Sequence, residues 1–219
     1  RGFGGWMVRS IQELRGLHHG ASFMPYAVAE CWDSDRVIDD WLGGTDTFAE
    51  NPAGAFDFPL RWRLRDMCDS LGYSLRQLAQ AGVLIWDRPR DAVTFVENHD
   101  VARDMPIVHD KLMAYAFILT HEGYPCVFWQ DYFNFALAQP GSASGIAALV
   151  AVHEKHAGGT ARVLLADDDL YVMQRDGDGG HGGLVFVLNN RGVWQGSTVQ
   201  TRWAGTRLQP VAWRGRDDA

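Results

Sequence analysis

Four polar residues follow one another at Glu97, Asn98, His99 and Asp100, at the end of an apolar run, Ala92-Val-Thr-Phe-Val96. A β-branched and aromatic run of this kind belongs inside a sheet, and the polar cluster at its end belongs in a cleft. A second segment has the same build: Pro25-Tyr-Ala-Val-Ala leads into Glu30, followed by Cys31, Trp32 and Asp33. Two carboxylates at strand ends are the equipment of acid/base chemistry, provided one stays protonated while the other stays ionised. Retaining hydrolysis of a glycosidic bond uses such a pair roughly 5–5.5 Å apart. Glu30, between Ala29 and Cys31-Trp32, is expected in an apolar setting that favours its protonated form. His99 is a donor suited to sugar hydroxyls. Taken singly, each residue also has a plain reading: Glu30 as a solvated charge, Asp100 as a turn or helix cap, His99 as a structural histidine.

The elements that position these groups are legible in part. Apolar spacing predicts a helix over residues 6–17, a buried strand over 25–31 and a short helix over 35–43, closed by Gly43-Gly44. A short strand follows at 54–58, with helices at 59–70 and 74–80. The strand at 92–98 leads to a helix from Met105 to His121, with Pro106 in its first turn. Gly123 to Trp129 reads as another buried strand, and Ser144 to Lys155 as a helix. From 161 to 213 the pattern changes to short alternating runs, including one from Gly196 to Trp203, separated by Gly- and Asp-rich turns. That is an antiparallel β module, with a boundary near 158–161.

Strand–helix units in series form parallel sheets, and this part has about four strands, near residues 26, 56, 94 and 126. A (β/α)8 barrel has eight, so four is half a barrel. In such folds catalytic groups sit at the C-terminal ends of the strands. The expected fold is therefore α/β: half of a (β/α)8 barrel over residues 1–159, then a small antiparallel β domain over 160–219.

The formal net charge of −7 argues against a nucleic-acid surface. No apolar run approaches the roughly 20 residues of a membrane helix. The three cysteines, Cys31, Cys68 and Cys126, have no CxxC spacing, so no zinc or redox motif is present and the compartment cannot be read from them. His153 and His156 do not meet metal-binding HExxH spacing, and Asp167-Asp168-Asp169 and Asp176-Gly-Asp178 read as hairpin turns. No cofactor is expected within this chain.

Phe95-Val-Glu-Asn-His-Asp100 resembles the FVDNHD signature of the α-amylase family of glycoside hydrolases. Ala27-Val-Ala-Glu30-Cys-Trp-Asp33 is similar to the strand that carries that family's general acid/base. Ala55-Phe-Asp-Phe58 resembles the sixth barrel strand, Lys111 to Thr120 the helix after the seventh, and Gly123 to Trp129 the eighth strand. The terminal β module resembles the small domain that follows the barrel. The resemblance covers nearly all of the chain. It implies Glu30 as acid/base, Asp100 as the carboxylate that stabilises the transition state, and His99 as a hydrogen-bond partner of the same sugar. It implies Arg1 near the sugars past the cleaved bond, and it leaves Trp32 and Trp129 open between stacking on glucose rings and packing. The substrate it implies is an α-1,4-linked glucan such as starch.

Glu97 departs from the family's Asp, at a position expected to point away from the chemistry. The family's nucleophilic Asp would lie three residues before Arg1. The chain is therefore expected to be a piece of a longer enzyme, or a half-barrel that works with a complementary N-terminal half, and on its own inactive. Calcium belongs, by the same resemblance, to the missing part. A catalytically inactive carbohydrate-binding or assembly module is the competing expectation.

Overall fold

The computed structural model describes residues 2–19, 26–48 and 53–212. Four strands, β1 (Val28–Ala29), β2 (Gly54–Phe56), β3 (Ala92–Phe95) and β4 (Tyr124–Cys126), pair in sequence order, all parallel. The register places Ala29 beside Ala55, Phe56 beside Val93, and Phe95 beside Cys126. All four strands therefore point the same way, and everything after their last residues lies along one rim. The sheet is curved. Outer strands of a flat four-stranded sheet lie roughly 14 Å apart, yet the rings of Tyr26, just before β1, and Tyr124 in β4 are 5.6 Å apart. Gly54 makes room for this crossing, since a Cβ there would strike the Tyr26 hydroxyl and the Asp91 carbonyl.

The connecting helices are α1 (Gly2–His19), α2 (Asp35–Phe48), α3 (Phe58–Asp69), α4 (Leu84–Asp87), α5 (Val101–Asp104), α6 (Lys111–Thr120) and α7 (Ile146–His156). A 3₁₀ turn spans Leu75–Ala79 and a single π turn spans Gln130–Asn134. Asp57 starts α3: its Oδ1 accepts from Leu60 N at 3.0 Å while Oδ2 accepts from Ile85 N at 2.8 Å. One buried carboxylate thus caps two helices. Gly123, at φ +93°, makes the turn into β4, where a Cβ would crowd the Ala92 carbonyl.

A second sheet, β5 (Ala161–Ala166), β6 (Leu170–Arg175) and β7 (Leu184–Asn189), is antiparallel in that order. The core is continuous between the sheets: Ile38, Leu64, Leu75, Phe117, Tyr171, Met173 and Phe186 belong to one buried cluster. At the seam His121 is fully buried, stacked on Phe117 with centroids 3.7 Å apart. Its Nδ1 lies 2.8 Å from the Phe117 carbonyl and its Nε2 2.9 Å from the Tyr171 hydroxyl. The ring is thus neutral, donating from Nδ1 and accepting at Nε2. Burial pushes its pKa down to about 3.

Three expectations are corrected. The helix expected over 35–43 runs through Gly43-Gly44 to Phe48, because Thr45 beyond the glycines is buried and bonds the Leu42 carbonyl at 2.7 Å. The helix expected from Met105 begins only at Lys111. Carboxylates capture the amides it would have used: Glu97 takes Ile107 N at 2.7 Å, and Asp69 takes His109 N at 2.8 Å. Asp110, at φ 42°, then closes the helical path. The run from Gly196 to Trp203 is not a strand. Its Arg202 amide bonds the side chain of Gln174 at 2.9 Å in place of a strand backbone.

Candidate active site

The rim at the C-terminal ends of the parallel strands collects the polar residues. Glu30 follows β1 directly, Asp57 follows β2, and Glu97 to Asp100 follow β3. The Glu30 side chain is exposed at this rim, and its Oε1 accepts from Asn98 Nδ2 at 3.0 Å. The apolar enclosure expected around Glu30 is absent among the described residues. Ala29 and Cys31 are partly buried against the core below it, while Trp32 turns aside to Phe58.

Asp100 immediately precedes α5, at its N-cap position, with about a third of its side chain open to solvent. Two side chains flank it: His99 Nε2 lies 3.5 Å from Oδ2 and the Arg103 guanidinium 3.3 Å from Oδ1. His99 itself is exposed, free to meet a ligand from the solvent side. The Asn98 carbonyl oxygen accepts from the amides of Asp100 at 3.0 Å and Val101 at 2.8 Å, and so fixes the turn that presents His99 and Asp100. The strand-end motifs therefore meet. Glu30 and the 98–100 turn are joined by a direct hydrogen bond.

Glu97 points away from this rim. It is buried with Arg61, whose guanidinium lies 3.0 Å from Oε2, while Lys111 lies 3.3 Å from Oε1. Lys111 also reaches the buried Asp131 at 2.9 Å, and Tyr115 donates to the same carboxylate at 2.6 Å. This ionic cluster ties α3, α6 and the β4 rim together beneath the site.

Trp32 stacks one ring face on Phe58, with centroids 5.3 Å apart and planes at 18°, and leaves the other face partly open. Trp129 is largely exposed after β4 and lies against Phe133. Arg1 lies outside the described residues. Among the described residues no group of three or more His, Cys, Asp or Glu side chains is arranged to hold a metal ion, and no helix is long and apolar enough to cross a membrane.

Sequence reasoning passed over Asn98, whose three hydrogen bonds connect the site. Its place inside the polar quartet was the available signal. It also passed over His121. A histidine directly after the apolar run Ala114–Thr120 signals burial, but the partner that buries it, Tyr171, is 50 residues away.

The chain is similar to a probable α-amylase 2 of Arabidopsis thaliana, 29% identical over 180 residues, which cover 69% of this chain and 41% of the relative. It is also similar to a glucan 1,4-α-maltohexaosidase of a Bacillus species, 31% identical over 176 residues, which cover 75% of this chain and 33% of the relative. The chain thus spans well under half the length of these curated relatives. No family model matches it. Among solved structures, a γ-cyclodextrin glucanotransferase from an alkalophilic Bacillus clarkii matches with a TM-score of 0.61 at 18% identity, covering 86% of this chain and 30% of that one. A maltose complex of AmyP matches with a TM-score of 0.56 at 14% identity, covering 86% of this chain and 51% of that one. At such identities the structures speak for the fold alone, while the curated relatives, matched over most of this chain, speak for descent. The chain belongs to the α-amylase family of glycoside hydrolases.

Proposed function

We propose that this chain supplies the acid/base and transition-state part of a site for retaining hydrolysis of α-1,4-glucosidic bonds in starch-like glucans. The observation that carries the reading is the Asn98–Glu30 hydrogen bond of 3.0 Å, which joins the two carboxylate-bearing strand ends on one rim. Glu30 gives its proton to the glycosidic oxygen as that bond to C1 breaks. It then takes a proton from the water that attacks C1 and frees the nucleophile. Asp100 holds the ring hydroxyls of the sugar and stabilises the positive charge that grows on it, with His99 bonding the same sugar. The open face of Trp32 stacks on a neighbouring glucose ring, and Arg1 contacts the sugars beyond the cleaved bond. That AmyP was solved with maltose supports a glucan ligand.

The nucleophilic carboxylate comes from a complementary N-terminal half-barrel outside these 219 residues, in the same longer protein or in a second chain. Calcium, where needed, binds in that half. The four parallel strands are the second half of a (β/α)8 barrel, and the other half encloses the exposed Glu30. A second reading, an inactive carbohydrate-binding module, draws on one observation: among the described residues the other strand-end carboxylates are buried and committed to structure, Asp57 capping two helices and Glu97 and Asp131 held in ion pairs.

Reducing ends released from starch separate the two. The 219-residue chain alone is expected to release none. The chain extended by its native upstream coding sequence is expected to release them and to lose the activity with Glu30→Gln. An extended chain that binds maltotriose without turnover establishes the inactive module. Turnover by the 219-residue chain itself, lost with Glu30→Gln, overturns the external nucleophile.

A further inference from the structure

Asn98 takes no part in the proton transfers above, yet its side chain makes three hydrogen bonds at the rim. Its Oδ1 accepts from Asp100 N at 3.0 Å and Val101 N at 2.8 Å, and its Nδ2 donates to Glu30 Oε1 at 3.0 Å. The orientation of the amide follows from chemistry. Backbone amides only donate, so the end facing α5 must be the oxygen, and the NH2 must face Glu30. A hydrogen bond between two exposed side chains is ordinarily weak, because water competes for both groups. Here one end is clamped by two backbone amides, so less freedom is lost when the other end engages. A leucine or alanine could make neither contact, and an aspartate could make only the cap.

We propose that Asn98 is a positioning residue, one that fixes the Glu30 carboxyl relative to the backbone presenting His99 and Asp100. It rests on the reading of Glu30 as acid/base for its catalytic consequence, though the positioning itself does not depend on activity. The titratable and charged groups on the flanking elements are Asp33 on the Glu30 loop, and His99, Asp100, Arg103 and Asp104 around the α5 turn. Asp57, on the strand between them, is turned into the core.

Asn98→Asp separates positioning from capping. Aspartate caps as well as asparagine, so the α5 turn is retained. It places a carboxylate where a donor stood, and a second carboxylate at that distance raises the Glu30 midpoint by about a unit or more. The measurement is a carboxyl-carbon NMR titration of Glu30 in the 219-residue chain, with the amide shifts of Asp100 and Val101 reporting the cap. The expected result is a raised Glu30 midpoint with the cap intact. A Glu30 midpoint unchanged by Asn98→Asp overturns the proposal and leaves Asn98 a helix cap only. If Asn98→Asp does not fold, Asn98→Ser gives the same contrast: its hydroxyl caps but does not reach Glu30, so the midpoint still rises, and a constant midpoint is again fatal. In the extended chain, Asn98→Asp is expected to lower kcat about tenfold with KM nearly unchanged, and to move the alkaline limb of the pH profile upward. A shifted Glu30 titration in a parent that never hydrolyses starch overturns the hydrolase reading alone and leaves the positioning role standing.

Discussion

Two buried residues set opposing responses to pH. Burial raises the Asp57 carboxyl to about 6, against the backbone amides of Leu60, Ile85 and Leu84 that favour its ionised form. The folded state therefore holds this proton more tightly than the unfolded chain. The resulting stability is full below about pH 4 and is lost as pH rises through about 6. His121 is the reverse. Its pKa falls to about 3, so its contribution is full above pH 6.5 and is lost as pH drops through that range. Between pH 4 and 6 the two slopes, each about 1.4 kcal/mol per pH unit, oppose one another. Asp57→Asn is expected to make stability rise with pH relative to the parent, and His121→Phe to make it fall. Urea midpoints at pH 4, 5 and 6 decide it, and curves parallel to the parent's would refute the assignment. The sequence made the strand-end carboxylates visible because their neighbours are local. It left His121 unmarked because what keeps it neutral is the Tyr171 hydroxyl, brought in by the second sheet.

At the scale of elements, the segment between β3 and α6 shows where periodicity loses to polar contacts. The helical spacing from Met105 to His121 is present in the sequence, but the Glu97 and Asp69 carboxylates hold the amides of residues 107–109 in a loop instead. Such acceptors come from 10 and about 40 residues upstream, beyond any window that reads periodicity. The four parallel strands were legible because each is a short apolar run between turn signals, and the unpaired run at Gly196–Trp203 looked the same in isolation. The ionic cluster below the rim gives a test of how this loop is held. Arg61→Met leaves the fully buried Glu97 with Lys111 and the Ile107 amide but without its guanidinium, and breaking a buried pair in this way costs about 3–5 kcal/mol. Chemical denaturation should show a loss of that order, and a loss below about 1 kcal/mol would mean that the cluster is hydrated. Trp32→Ala, which removes the ring stacked on Phe58, should cost about 1–2 kcal/mol. If it also weakens maltotriose binding by the extended chain, the open ring face meets sugar. A stability loss alone assigns Trp32 to packing.

Across the whole molecule, the features left open match the proposed missing half. Among the described residues β1 and β4 each have one neighbour in the sheet, and α1 presents Trp6, Ile11, Leu14 and Leu17 to solvent. Apolar surface of this kind seeks a partner. The 219-residue chain is expected to self-associate in sedimentation velocity as its concentration rises, and Leu14→Glu to reduce that association. A monomer at all concentrations would show that this surface does not drive association. The seam at His121 has a different consequence, for the way the fold opens. Helix α6 and strand β6 share one buried cluster, and Arg175 of β6 donates to the Gly159 and Thr120 carbonyls across it. The antiparallel sheet therefore cannot come loose without exposing the face of α6 that underpins the β3 rim. In native-state hydrogen exchange the amides of α6 and β6 should open together with one shared free energy, even though a change in sequence character separates them.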